Sequence, residues 1–401
     1  MEVSSVSRSS TVKRKHQVVA QIESQFVERL RVAKALSRVE LAREFGLAPS
    51  TAGIYVNRLI EKGFLVESES TTADSGRPPV LLTLNPRAGQ FIGVDFEAQT
   101  IQAISLDFAQ KILLKSQAPI TKDDSTETIL TKIEKAIESV RVSHLPLHGI
   151  GIGVPGFIDA EQGIALSYSA LADWKNVPIA QHFKEKFKVP VTLENNVRAM
   201  ALAELVFGQG RQLNNFICIA VRSGIGAGLV FNRQLYRGQN SSAGEIGLWQ
   251  YPEADRSFPE GTYPMLQDMA SVRAILKKVL HLLEQGQPSI LCPEADLTID
   301  TVIDAYKKGD AVAYQVLNEA IMYLGWAAAQ LTCALNPQKI IFTGPLARLG
   351  DRLTNQIQEY LQAIPYIAAV NRPEIACTQF EDFEGALGAT ALAASSWSPR
   401  Y

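Results

Sequence analysis

Between Ser37 and Leu84 the chain carries a pattern that leaves few folds open. Ser37-Arg38-Val39-Glu40 reads as a capping box: the serine hydroxyl accepts an orphan helix amide while the Glu40 carboxylate accepts the serine N–H. Gly46 supplies the left-handed residue that ends this short helix. Pro49 opens the next one, where its missing N–H costs nothing. That helix runs from Ser50 to Lys62 with Ala52, Val56, Leu59 and Ile60 on one face, and Gly63 closes it. Phe64-Leu65-Val66-Glu67 and Val80-Leu81-Leu82-Thr83-Leu84 follow as strands around a polar loop, Ser68 to Arg77. A longer helix precedes the pattern, with Val18, Val19, Ile22, Phe26, Leu30 and Ala33 at helical spacing between Gln17 and Leu36. Helix, glycine turn, helix and two-stranded wing predict a winged helix-turn-helix over 15–86. Residues 1–14 are polar and basic and are expected to form a disordered arm.

Such a module places its third helix in the major groove of duplex DNA. With Val56, Leu59 and Ile60 facing inward, Ser50, Thr51, Ile54, Tyr55 and Arg58 face outward. Hydroxyls and a guanidinium bond phosphates and base edges. Arg77, on a Gly-Arg-Pro turn, is placed to meet the minor groove or a phosphate. Ser50, Thr51, Tyr55, Arg58 and Arg77 are therefore the candidate DNA contacts. The charge agrees in sign: residues 1–87 carry +4 and the remainder −6, within a net −2. A mildly basic head sits on an acidic body.

Asn85-Pro86-Arg87 breaks the pattern and marks the boundary. Beyond it lie a strand (Phe91 to Asp95), a partner near Ile101 to Leu106, a helix (Thr126 to Val142) and a buried strand, His148 to Val154, ending in Gly-Val-Pro-Gly. Strands and helices alternate to the end, so this part is α/β. At 401 residues the chain has room for two or three folding units. Cys218, Cys292, Cys333 and Cys377 are scattered, which speaks against a zinc knuckle or disulfide framework and for a reducing cytoplasm. No apolar run reaches the roughly 18 residues of a membrane span.

Five motifs in the body carry a resemblance: Gly149-Ile-Gly-Ile-Gly-Val-Pro-Gly156, Leu193-Glu-Asn-Asn196 with Ala199 to Glu204, Gly224-Ile-Gly-Ala-Gly228, Gly244-Glu-Ile-Gly247 and Gly385-Ala-Leu-Gly388. Together with the head they make the chain similar, over roughly residues 15–395, to the ROK family (repressors, open reading frames and sugar kinases), and most of all to its repressor branch. The resemblance implies an actin-like ATPase (sugar kinase) fold of two α/β lobes, 88–196 plus 385–401 and 197–384, behind the winged helix-turn-helix. It implies a sugar or sugar-derivative effector, a DNA operator as partner, and a homodimer or homotetramer.

The chain also departs from the family's kinases. They carry Asp-x-Gly-Gly-Thr after the first strand; here Asp95-Phe96-Glu97-Ala98-Gln99 has lost both glycines. Glu97 puts a negative charge where phosphates would sit, and at close range that repulsion is worth several kcal/mol. The kinase pattern Glu-Asn-Asp-Ala-Asn supplies a catalytic base, and its position is Asn196, an amide that cannot take a proton. Ser223-Gly224-Ile225-Gly226-Ala227-Gly228 survives as a second glycine loop. Leu248 replaces the zinc-binding histidine, and Tyr251 to Met265 holds no cysteine, so no zinc or other cofactor is expected. Packing of Trp249, Tyr251, Phe258 and Tyr263 is expected to order that loop instead. The resemblance carries sugar contacts onto Asn195 and Glu245, a second family glutamate onto Gln267, and leaves Asn196 and the Gly156 turn beside them. No catalytic residue is assigned, and the altered pocket implies a change of ligand, or the loss of one, rather than retention of the usual sugar. The alternatives are a sugar kinase with an added head and a regulator governed by a protein partner.

Overall fold

The computed structural model describes residues 4–69, 80–97, 99–121, 123–168, 170–171, 173–251, 263–292, 297–365 and 372–399, with side chains from residue 17 onward. The head comprises α1 (Ser4–Ala33), β1 (Leu36–Ser37), α2 (Arg38–Glu44), α3 (Pro49–Glu61), β2 (Leu65–Glu69) and β3 (Val80–Leu84). The capping box forms as read: Ser37 Oγ accepts the Glu40 N–H, and the Glu40 carboxylate accepts the Ser37 N–H at 2.7 Å. Phe26, Leu30, Leu41, Ala52, Val56 and Leu59 close the core between the helices. The wing is an antiparallel pair, β2 on β3, with β1 on the other edge of β3. One expectation fails. Helix α1 begins at Ser4, within the segment expected to form a disordered arm, and no Gly or Pro between 4 and 33 interrupts it.

The first lobe is built on a five-stranded sheet ordered β11-β7-β4-β5-β6. Its strands are β4 (Gln90–Phe96), β5 (Thr100–Asp107), β6 (Ile112–Pro119), β7 (Leu147–Val154) and β11 (Val191–Asn195). A small sheet of β8 (Phe157–Asp159), β9 (Ile164–Ser167) and β10 (Lys175–Val177) follows β7. Helices α4 (Thr126–Val140) and α5 (Ile179–Phe187) belong to the same lobe. On α4, Ile129, Ile133, Ala136, Ile137 and Val140 form the inward stripe that a helix on a sheet requires. Helix α6 (Asn196–Val206) begins where β11 ends and leads to the second lobe.

The second sheet is ordered β14-β13-β12-β15-β16, from β12 (Phe216–Val221), β13 (Ile225–Phe231), β14 (Gln234–Tyr236), β15 (Lys339–Thr343) and β16 (Glu374–Cys377). Its helices are α7 (Leu266–Ala270), α8 (Val272–Glu284), α9 (Ile299–Lys307), α10 (Ala311–Leu335) and α11 (Asp351–Gln362). The last helix, α12 (Glu384–Ser395), returns to the first lobe and packs on β4, β7 and α6. Gly388 permits this: a Cβ there would stand 1.7 Å from the Ala199 carbonyl of α6.

Head and body share one core. Phe91, Phe108, Ala394 and Trp397 of the body pack into the apolar cluster of the head. Arg31 of α1, only 4 % exposed, enters a cage of Phe91, Phe108 and Trp397 at 5.2, 5.4 and 6.0 Å from the ring centroids. Its Nη1 donates to the Ala394 carbonyl at 2.5 Å. A buried guanidinium is held by such ring faces and by hydrogen bonding. The boundary at Asn85 is thus a turn of backbone: the Asn85 side chain accepts the Arg87 N–H and donates to Gly63 O at 2.7 Å.

Candidate functional site

On the head, α3 exposes Ser50 and Ile54, while Thr51 and Arg58 are half-buried. Tyr55 departs from the sequence reading. It is half-buried, and its ring meets Phe26 edge-on at 6.1 Å, because position 55 lies on the flank of the helix rather than its outer face. Arg77 lies outside the described residues. Arg38, which the sequence reading passed over, braces the module. Its Nη1 donates to Asn57 on α3 at 2.7 Å, and its Nε and Nη2 donate to Glu67 on the wing at 3.0 and 2.9 Å.

Between the lobes, β4, β7 and the N-terminus of α6 bring Asp95, Gly153 and Asn196 together. A Cβ on Gly153 would lie 3.4 Å from Asp95 Oδ1 and 3.5 Å from Asn196 Cα. Asn195 is the N-cap of α6: its Oδ1 accepts from Val197 N at 2.9 Å and Arg198 N at 3.4 Å. Its Nδ2 donates to the Gly156 carbonyl at 3.1 Å, so the two expected ligand positions are joined. Gly156 has φ +78°, and a Cβ there would collide with the Ser167 carbonyl. Asn195 is spent on this scaffold, whereas among the described residues Asn196 engages its Oδ1, on Val197 N at 2.9 Å.

Glu245 opens the turn at Ile246–Leu248, and burial raises its carboxyl above the usual range against the pull of Arg198. Gln267 on α7 lies beside the glycine loop: its Oε1 would be 3.5 Å from a Cβ on Gly224 and 3.4 Å from one on Gly247. Arg198 joins the two halves. It is 2 % exposed, its Nε donates to Glu194 Oε1 at 2.7 Å, and its Nη1 reaches the Ala243 carbonyl at 3.5 Å. Arg237 takes the other Glu194 oxygen at 2.6 Å. The Glu194–Arg198 spacing of four was readable in the sequence; Arg237 was not.

The phosphate corner differs most from expectation. Glu97 does not stand as bare repulsion: Arg222, which follows β12, pairs with Asp95 at 2.9 Å and also with Glu97. Burial works against the Arg222 charge, but Glu97 and Asp95 outweigh it and hold its pKa above the usual range. Burial pushes the Asp95 carboxyl up despite Arg222. The 2.9 Å contact is that of a charge-assisted pair, so the ionised form governs here. Nearby, burial and then the Glu204 charge raise Glu384 to about 8, and its Oε2 accepts the Thr343 hydroxyl. Gly226 and Gly228 lie within β13 against α6, where a Cβ on Gly228 would stand 2.4 Å from that of Ala201, so these two glycines serve packing.

In the loop expected to replace the zinc site, Tyr251 is buried against Tyr323 and Trp326, at 5.9 and 6.0 Å between ring centroids, and Trp249 packs on the second-lobe core. Tyr263 is exposed, contrary to expectation, so it adds no packing to that loop. Phe258 lies outside the described residues. Cavities of about 350 Å³ and 740 Å³ lie at the head–body junction and along α5, and neither is lined by a residue expected to hold ligand.

Two α/β lobes joined by α6 and α12 define the actin-like fold of the sugar kinases, here behind a helical head. The chain belongs to the ROK family, which it matches over residues 91–396. It is 29 % identical over 369 residues to a xylose repressor of Caldicellulosiruptor bescii, covering 90 % of this chain and 92 % of that one. It is 32 % identical over 289 residues to a glucokinase of Halalkalibacterium halodurans, covering 69 % of this chain and 87 % of the glucokinase. A solved ROK family transcriptional regulator, described as a homologue of the Escherichia coli MLC protein, superimposes with a TM-score of 0.80 at 25 % identity, over 94 % of this chain and 97 % of its own.

Proposed function

We propose that this chain is a DNA-binding transcriptional repressor of carbohydrate genes that answers to a sugar or sugar derivative in the interlobe cleft. The observation that carries the reading is α12. Its first turn lies at the cleft, where a Cβ on Gly385 would stand 2.4 Å from Asp95 Oδ2, and its last turn holds Arg31 of the head through Ala394. A ligand that binds two arrangements of the lobes unequally shifts their populations, and α12 relays that shift to α1. Asn196, Glu245 and Gln267 offer amide and carboxylate partners to sugar hydroxyls, on a turn shaped by Gly156 and Asn195. Ser50, Thr51 and Arg58, with Tyr55 at the flank and Arg77 on the wing loop, face DNA. Two heads in a homodimer or homotetramer would meet half-sites about one DNA turn apart. The proposed setting is the cytoplasm. Among the described residues, no helix is long and apolar enough to cross a membrane.

The kinase reading draws on the glucokinase relative. Against it stand Asn196 in place of the catalytic base and the ion pairs that fill the phosphate corner. The test has two arms. Genomic fragments captured by the purified protein should share a two-fold site, and Arg58→Ala should weaken binding to it by about 1–3 kcal/mol in a mobility-shift assay. Capture without sequence preference sinks the reading. A panel of sugars and sugar phosphates should contain one that moves both the melting temperature and the DNA shift. A melting shift with no effect on DNA would instead favour control by a protein partner, and ATP-dependent sugar turnover would revive the kinase.

A further inference from the structure

The loop at 222–224 directs three of its donors at Glu97. The Arg222 guanidinium pairs with Glu97, and the Ser223 hydroxyl and backbone N–H approach Glu97 Oε1 at 3.3 and 3.5 Å. Arg222 and Ser223 belong to the second lobe, whereas Glu97 ends β4 of the first. The side chains of Arg222, Asp95 and Glu97 are only 13 %, 2 % and 18 % exposed, so the cluster is largely shielded from water. A guanidinium, a hydroxyl and a main-chain amide converging on one set of oxygens are the donors that hold a phosphate group. Here those oxygens are a carboxylate fixed to the opposite lobe.

We propose that Glu97 is a built-in stand-in for a phosphate: the second-lobe loop is an anion site of phosphate-binding type, filled by the chain's own carboxylate, which ties the lobes together without a nucleotide. The cradle is fixed on both sides. The Arg222 carbonyl accepts the Val272 N–H at 2.9 Å and the Arg222 N–H donates to Gly224 O at 2.9 Å, which pins the loop. The Glu97 N–H donates to Thr100 O at 2.9 Å, which closes the β4–β5 turn and aims the carboxylate. Asp95 takes the remaining face of the guanidinium at 2.9 Å, so Arg222 stays placed if Glu97 is withdrawn. The inference does not depend on the DNA or sugar reading.

The test titrates the full-length chain, Glu97→Ala and Glu97→Gln with inorganic tripolyphosphate by calorimetry. Wild type should bind at least tenfold more weakly than Glu97→Ala. Glu97→Gln, which keeps the shape and loses the charge, should gain by about threefold, and adding Arg222→Met to Glu97→Ala should abolish the gain. Three results overturn the proposal: wild type binding as tightly as Glu97→Ala, a folded Glu97→Ala that gains nothing, or a gain that survives Arg222→Met. If Glu97→Ala does not fold, the Glu97→Gln protein decides alone, since it preserves the packing: a gain supports the stand-in and no gain overturns it.

Discussion

The two corners of the cleft have diverged in opposite ways. At the sugar corner, backbone and side chains are tied together by hydrogen bonds within one lobe. Asn195 caps α6 and holds the Gly156 carbonyl, while Asn196, Gln267 and Leu248 stand at positions where the resemblance to the family's kinases implies an aspartate, a glutamate and a histidine. At the phosphate corner Glu97, after β4, is neutralised by a cation from the facing lobe. A residue's effect depends on what stands opposite it. Glu97 alone reads as repulsion; Glu97 with Arg222 reads as a bridge.

The contrast can be broken by experiment. Arg222→Met should have the largest effect, about 3–5 kcal/mol of stability in urea unfolding, because it leaves Asp95 and Glu97 shielded from water without their cation. A loss below about 1 kcal/mol would mean that the bridge contributes little.

Glu384 gives the phosphate corner a pH dependence. It stays protonated in the folded chain up to about 8 but ionises near the ordinary 4.5 when unfolded. The folded state then binds a proton that the unfolded state has lost, so stability falls as pH rises across that window. Glu384→Gln should flatten the fall by an amount on the order of 2 kcal/mol, read from melting temperatures at pH 5 and pH 8. An unchanged slope would place the titration elsewhere.

At the sugar corner the effects are smaller. Asn195→Ala removes the α6 cap and should cost about 1–2 kcal/mol in the same unfolding assay, with Asn195→Asp recovering the cap. Gln267→Ala should change stability by less than about 0.5 kcal/mol while removing whatever effector response the chain shows, which separates contact from scaffold. Equal losses at Asn195 and Gln267 would erase the distinction drawn between them.

Much of the head was legible because its signals are local. The Ser37 capping box, the Gly46 stop and Pro49 at the first turn act within a few residues, and each forms where the sequence places it. Tyr55 was misplaced because its position on the helix flank is resolved only by what packs there, the ring of Phe26. In the body, the order of glycine motifs was enough for the two-lobed fold. Gly226 and Gly228, however, meet α6, a contact set by helix–strand distance that the sequence does not show.

The sequence by itself determined the helical head with its wing and the α/β body, since spacing and residue type decide each of them. Only the tertiary structure decided that Arg222 faces Asp95 and Glu97 across 127 and about 125 positions of chain. The same holds for Arg31 of the head, which is caged by Phe91, Phe108 and Trp397 of the body. Charge and ring contacts act through space over a few ångströms, and the chain brings such groups together only once both lobes and the head are folded.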